Sequence, residues 1–257
     1  MRKTSINLYC NTELDSKYKI DKIKQLGFNE FFTGVYADKE TMTAKEQIDY
    51  AKSIGLECTM LHCSYHEPDL NDFWLDTPIG ESVYTNYANQ IKEHKGYCDN
   101  FVVHLNGSFK SKTTEIGLSR IRKLLDICEE CDTNLCIENL YSIEEIPYIF
   151  ANIKHPKLKI CFDIGHRNFL TPKFDVMKEY GEHITVLHLH DNHGKTDEHL
   201  VCGEGNIDWE EFAQAITQFP KLVLAAEVKS TFHDKNTIIE DQLVAFNTLK
   251  NMINKYE

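Results

Sequence analysis

The chain has 257 residues, enough for a large core and the right size for one domain rather than two. Its 42% hydrophobic and 26% charged content fits a globular protein, no apolar run approaches the roughly 20 residues that cross a bilayer, and the start, Met1 to Cys10, is too short and polar for a secretory signal. A net charge of −12 with four arginines (Arg2, Arg120, Arg122, Arg167) weighs against a dedicated nucleic-acid binder, so a small substrate is the default.

In chain order, short β-branched or aromatic runs alternate with longer stretches of period near 3.6. Strands are expected at Thr4–Tyr9, Glu30–Gly34, Glu57–His62, Asn100–Leu105, Asn134–Glu138, Leu158–Asp163, Ile184–Leu189 and Leu222–Glu227. Helices are expected at Lys17–Leu26, Thr43–Ile54, Glu81–Tyr97, Thr113–Glu130, Ile143–Asn152, Lys173–Tyr180, Asp208–Gln218 and Lys235–Lys255. Gly27 and Gly55 stand where helix C-caps belong, and Asp208 where an N-cap belongs. Eight strand–helix units predict an α/β fold, a single (β/α)8 or TIM barrel over residues 1–257. A doubly wound open sheet would usually show a Gly-rich phosphate loop early; Tyr9-Cys10-Asn11-Thr12 has none.

The nine cysteines are an odd number and, with no export signal, are expected as reduced thiols in a cytoplasmic protein. Cys128 and Cys131 form a C-x-x-C, but they fall on a helical stretch with Leu124 and Leu125 on its apolar face, and no second pair completes a four-sulfur site.

Active sites of such barrels lie at the C-terminal strand ends. Six consecutive strands here deliver a His, Asp or Glu to that rim: His62, His104, Glu138, Asp163 (with His166 one turn on), His188 and Glu227. Carboxylates at buried strand ends are unfavourable unless paired or metal-bound, so a divalent cation is expected. Imidazole plus carboxylate suits zinc or manganese, and also Fe²⁺ or Co²⁺, better than a thiolate zinc site. In the loop Asp191–Trp209, Asp197 and His199 alternate, so in an extended segment both point the same way. His190 is read as facing the barrel interior or supporting the ligands from behind, and His193 as weaker still. His66, His94, His155, His183 and His233 are read as ordinary. Lys229 is a candidate for binding a phosphate or hydroxyl, and Trp74 with Phe73 for an apolar wall over the substrate.

Through I-E-N, F-D-I-G-H, H-L-H-D-N and G-E-G-N-I-D-W, between Cys136 and Glu227, the chain resembles the xylose isomerase-like TIM-barrel superfamily, which includes sugar and sugar-phosphate isomerases and epimerases and endonuclease IV-type enzymes. The epimerase resemblance implies one metal held by Glu138, Asp163, His188 and Glu227, with the two glutamates as acid and base and His166 binding substrate or metal. The endonuclease IV resemblance implies three zinc ions on His62, His104, Glu138, Asp163, His166, His188, Asp197, His199 and Glu227. It also implies a hydrolase acting on abasic DNA or another phosphodiester.

The departures lie outside that set. The glycine-rich opening is absent from Asn7-Leu8-Tyr9-Cys10-Asn11, and Phe32-Thr33-Gly34-Val35-Tyr36 lacks the Gln and Arg residues that enter DNA. Tyr65 could stand in for an intercalating side chain, although one Tyr near a strand end is more often packing. The expectation is therefore a metal-dependent sugar or sugar-phosphate isomerase or epimerase, with one to three divalent ions per chain. The hydrolase is the alternative. A sugar is the expected partner, nucleic acid the lesser one, a membrane none, and a homo-oligomer is left open.

Overall fold

The computed structural model describes residues 2–35, 42–109 and 111–257. Met1 and Tyr36 lie outside them. The described residues form eight parallel strands: β1 Thr4–Ile6, β2 Glu30–Gly34, β3 Glu57–His62, β4 Asn100–Val103, β5 Asn134–Glu138, β6 Leu158–Asp163, β7 Ile184–His188 and β8 Leu224–Ala226. β2 to β7 pair in sequence order, and β1 pairs with β8. The isolated parallel bridges Asn7↔Phe32 and Leu189↔Ala226 join the two runs at both seams, which closes the barrel. Asn7 secures the closure. Its amide donates to the Val228 carbonyl and its side-chain oxygen accepts from the Val228 N–H, both inside the protein.

The helices are α1 Ser16–Gln25, α2 Ala44–Ser53, α3 Pro78–Glu93, α4 Glu115–Cys131, α5 Glu145–Asn152, α6 Ile164–Phe169, α7 Val176–Tyr180, α8 Trp209–Ile216 and α9 Ile238–Ile253. Their starts follow capping chemistry. Thr43 and Glu46 form a reciprocal box on α2, and Asp15, Thr77, Thr114 and Asp208 accept from the first-turn N–H groups of α1, α3, α4 and α8. Gly27 and Gly55 take positive φ past the ends of α1 and α2, as caps there require.

Four expected strands match the observed ranges residue for residue, β2, β3, β5 and β6. β1 is shorter than expected: Leu8–Cys10 winds into a 3-10 turn after the chain is pinned at Asn7. β4 and β7 end at Val103 and His188, and β8 is shorter at both ends, although Leu189 still bridges Ala226 in parallel. Among the described residues, the 3-10 segments Glu67–Trp74 and Gly181–His183 and the helix α6 carry no expectation from the sequence. A 3-10 segment has a period of three and α6 has 6 residues, so no 3.6-residue period declares itself in them.

The apolar residues form two separate bodies. A large cluster packs helices onto the outside of the strands. A small one fills the barrel axis with one side chain per strand from β2 to β8: Phe32, Met60, Val102, Cys136, Cys161, Val186 and Ala225. Successive strand side chains alternate between faces, so the residue two positions on points inward again, one layer nearer the C-terminal rim. Those residues are Gly34, His62, His104, Glu138, Asp163, His188 and Glu227. The polar ring of the rim thus sits directly on an apolar plug. Among the described residues, no helix is long and apolar enough to cross a membrane.

Candidate metal centre and active site

Glu138, at the end of β5, is fully buried and central. Its two oxygens face different partners. Oε2 accepts from His104 Nε2 at 2.8 Å and lies 3.4 Å from His62 Nε2. Oε1 lies 3.1 Å from His188 Nδ1 and 3.2 Å from His166 Nδ1. His188 Nδ1 is also 3.2 Å from Glu227 Oε2, while the other ring nitrogen meets the Met60 sulfur of the plug. Asp163 closes β6 and caps α6 by accepting from the His166 N–H at 2.6 Å. Asn139, beside Glu138, clamps Asp163 through its backbone, donating to its carbonyl and accepting from its N–H, both at 2.8 Å.

The loop after β7 brings the remaining groups. Asp191 and Leu200 exchange two backbone hydrogen bonds at 2.9 Å, which folds the segment between them back on itself. The Asp191 carboxylate then accepts from the N–H groups of Asn192, Gly203 and Ile207 and from the Trp209 indole. Gly203 has φ +96°, and a Cβ on Gly205 would lie 2.2 Å from Asp191 Oδ1, so both glycines of G-E-G are required by the turn. Asp197 and His199 converge, with Asp197 Oδ2 and His199 Nε2 2.9 Å apart. Their convergence does not come from extended alternation, however. His199 has φ +52°, and the folded-back segment presents the pair.

The ligand-type atoms fall into overlapping groups, each within 4.8 Å: Glu138, Asp163, His188 and Glu227; His62, His104 and Glu138; and His166, His190, Asp197 and His199. All nine expected ligand-type residues are therefore brought together, and His190 joins them. His190 is fully buried, bonds Asp163 through Nε2, and stacks on the His199 ring at 4.0 Å.

The donor set fits a divalent cation. The Nδ1 atoms of His62 and His199 face the backbone carbonyls of Cys63 and Glu227, at 3.1 and 2.7 Å. A carbonyl only accepts, so Nδ1 carries the proton in each bond and Nε2 keeps a lone pair toward the cluster. Nδ1 of His190 is buried without a hydrogen-bond partner. The field is strongly negative as well. Burial would lower the His166 and His188 imidazoles, but the surrounding carboxylates raise His166 well above its usual range and His188 to about 9. Burial would likewise raise Glu138, Glu227 and Asp197, yet their neighbouring imidazoles hold all three below the ordinary carboxylate range.

A cavity of about 390 Å³ opens above this floor, lined also by Tyr9, Tyr65 and Lys229. Tyr9, which carried no expectation from the sequence, donates its hydroxyl to Glu227 Oε1 at 2.7 Å. Its signal was its place at the end of the first strand, where it was read only as a strand residue. Lys229 lines the cavity. Trp74 does not form a wall over the substrate. It is fully buried, its indole N–H donates to the Leu105 carbonyl at 2.7 Å, and it packs so closely on α4 that a Cβ on Gly117 would meet its ring at 2.0 Å. Phe73 is buried beside it.

Residues 20–246 match the model of a family described as xylose isomerase-like TIM barrel. An uncharacterized protein of Methanocaldococcus jannaschii is 27% identical over 214 residues, covering 76% of this chain and 79% of that one. A D-psicose 3-epimerase of Enterocloster bolteae is 25% identical over 229 residues, covering 79% and 72%. The crystal structure of a D-tagatose 3-epimerase-like protein superposes with a TM-score of 0.76 at 18% identity, covering 100% of this chain and 98% of that one, which shows a common fold.

Proposed function

From the premise that the chain belongs to the xylose isomerase-like TIM-barrel family, we propose that it is a metal-dependent isomerase or epimerase of a sugar or sugar phosphate, with Glu138 and Glu227 as its acid–base pair. One observation carries this reading: two glutamates share a four-residue ligand group with Asp163 and His188 at the floor of a cavity of small-molecule size. The 25% identical D-psicose 3-epimerase supports the same class of chemistry. Glu138, Asp163, His188 and Glu227 would hold one zinc or manganese ion, which when bound polarises the substrate's carbonyl and hydroxyl oxygens. One glutamate takes the proton from the carbon beside the carbonyl. The other returns a proton, on the opposite face in an epimerisation or to the neighbouring carbon in an isomerisation. Tyr9 orients Glu227, and His104 orients Glu138. His166 and Lys229 line the cavity, where they would bind substrate oxygens.

A second reading has its own observation. The Glu138 carboxylate gives one oxygen to the His188 group and the other to the His62–His104 group, as a bridging ligand would. With the His166–His190–Asp197–His199 group, this suits a multinuclear zinc hydrolase of a phosphodiester. Elemental analysis of the purified protein, paired with deuterium uptake by a panel of ketoses and their phosphates in D2O, separates the two. The isomerase predicts deuterium at the carbon beside the carbonyl. About three zinc ions per chain, no deuterium uptake and cleavage of bis(p-nitrophenyl) phosphate would move the assignment to the hydrolase. Failure to take up any divalent metal would remove both.

A further inference from the structure

The cavity continues beyond its metal-binding floor. A second lobe of about 200 Å³ adjoins the first, and the two share Tyr65, His104, His166, Asp197 and Lys229. The far walls of this lobe differ in kind from the floor. Leu70, Leu140, Tyr141, Phe169 and Leu170 supply apolar and aromatic surface, and Glu67 and Asn106 supply polar atoms.

The far wall is built rather than incidental. Asn106 is 1% exposed; its amide donates to Glu145 Oε2 at 2.8 Å, and its oxygen accepts from the Tyr141 N–H at 3.3 Å. The Glu145 carboxyl is itself buried. Gly107 follows, with its N–H on Asn71 Oδ1 at 3.0 Å and with no room for a Cβ, which would lie 2.7 Å from the Glu67 carbonyl oxygen. Buried polar networks of this sort fix a loop in one arrangement. Here they hold the backbone of Tyr141, whose ring meets that of the exposed Phe109 in a T-shaped contact with centroids 5.0 Å apart.

We propose that this second lobe binds a second sugar ring, so that the substrate is a glycosylated ketose, with its reacting unit over Glu138 and Glu227. The identity of the reacting unit rests on the isomerase reading; the lobe's preference for a ring does not. A pyranose has apolar C–H faces and a rim of hydroxyls. Tyr65, Tyr141 and Phe169 offer aromatic surface to the faces, and Glu67 and Lys229 offer polar atoms to the rim. A phosphate in the same place would meet Lys229 and His166 but also Glu67 and Asp197, and it has no apolar face for Tyr65, Tyr141 and Phe169 to cover.

The test is calorimetric titration of the metal-loaded protein with D-fructose and with the ketodisaccharides lactulose, maltulose and isomaltulose, each also followed for deuterium uptake in D2O. At least one disaccharide is expected to bind about tenfold or more tightly than fructose. The ratio should fall toward one in Phe169→Ala and Tyr141→Ala. Phe169→Leu, which removes the ring and keeps the bulk, serves if an alanine variant does not fold. Equal binding of disaccharide and fructose, or a preference that survives loss of the rings, overturns the proposal. A ring-dependent preference without deuterium uptake supports the lobe and removes the isomerase reading. Deuterium uptake by fructose at equal affinity does the reverse.

Discussion

At the scale of single residues, Glu138 decides most. Its two oxygens face different ligand groups, and it is fully buried at the floor of the cavity. Glu138→Gln keeps the shape but loses the charge and one acceptor. The variant is expected to lose most of its bound metal and about 10²–10⁴-fold in turnover, read by elemental analysis and by deuterium exchange. Protonation follows the same electrostatics. In the metal-free protein, the folded His188 titrates at about 9 against an ordinary 6.5, so its stabilising contribution is complete below 6.5 and is lost as pH rises through 9. Glu138 is depressed, so its contribution is complete above the ordinary 4.5 and is lost as pH falls. Melting curves of chelated protein should therefore peak between about pH 5 and 6.5. Metal binding must displace the His188 proton, so affinity should climb with pH up to about 9. A metal affinity flat across that window would contradict the ligand role of His188.

At the scale of elements, the site depends on two turns that place side chains strands cannot reach. α6 starts directly on β6 because Asp163 is both the strand's last residue and the helix cap. That single residue sets His166 over Glu138. Gly165 sits under the His190 ring, where a Cβ would come within 2.0 Å of Cε1. Gly165→Ala should therefore push His190 off Asp163 and perturb the His166–His190–Asp197–His199 group. The expected outcome is a lowered metal content, measured against a melting temperature reduced by the roughly 1–3 kcal/mol typical of overpacking. An unchanged metal content would detach His190 from that group. In the loop after β7, Asp191 is the hub: its carboxylate holds Gly203, Ile207 and Trp209, and its backbone pairs with Leu200 just after D-x-H.

At the scale of the whole molecule, barrel closure turns seven separate strand ends into one ring. Asn7 performs that closure from the far end of the sequence, bonding Val228 across 221 positions, next to Glu227. Asn7→Ala removes two buried hydrogen bonds and leaves the Val228 N–H and C=O unsatisfied, so it should destabilise by about 2–4 kcal/mol. It should also loosen Glu227, seen as weakened metal binding in protein that still folds. Denaturant unfolding and metal titration together check this.

The sequence by itself determined the barrel, four strands to the residue, and the six ligand-type positions at the strand ends, because these depend on local periods. A β-branched run marks a strand. The period of two assigns its inward face, and a polar residue after an apolar one on that face marks the rim. Only the tertiary structure decided the rest. Trp74 looked like a loop aromatic free to cover a sugar, but helix α4 presents Gly117 to it and buries it. Tyr9 looked like the end of a strand, but the pinning of Asn7 turns it onto Glu227. His190 became a member of the cluster through the fold of a loop whose positive φ at His199 no spacing announces. In each case the deciding contact joins residues far apart in the chain, and local periodicity carries no information about such pairs.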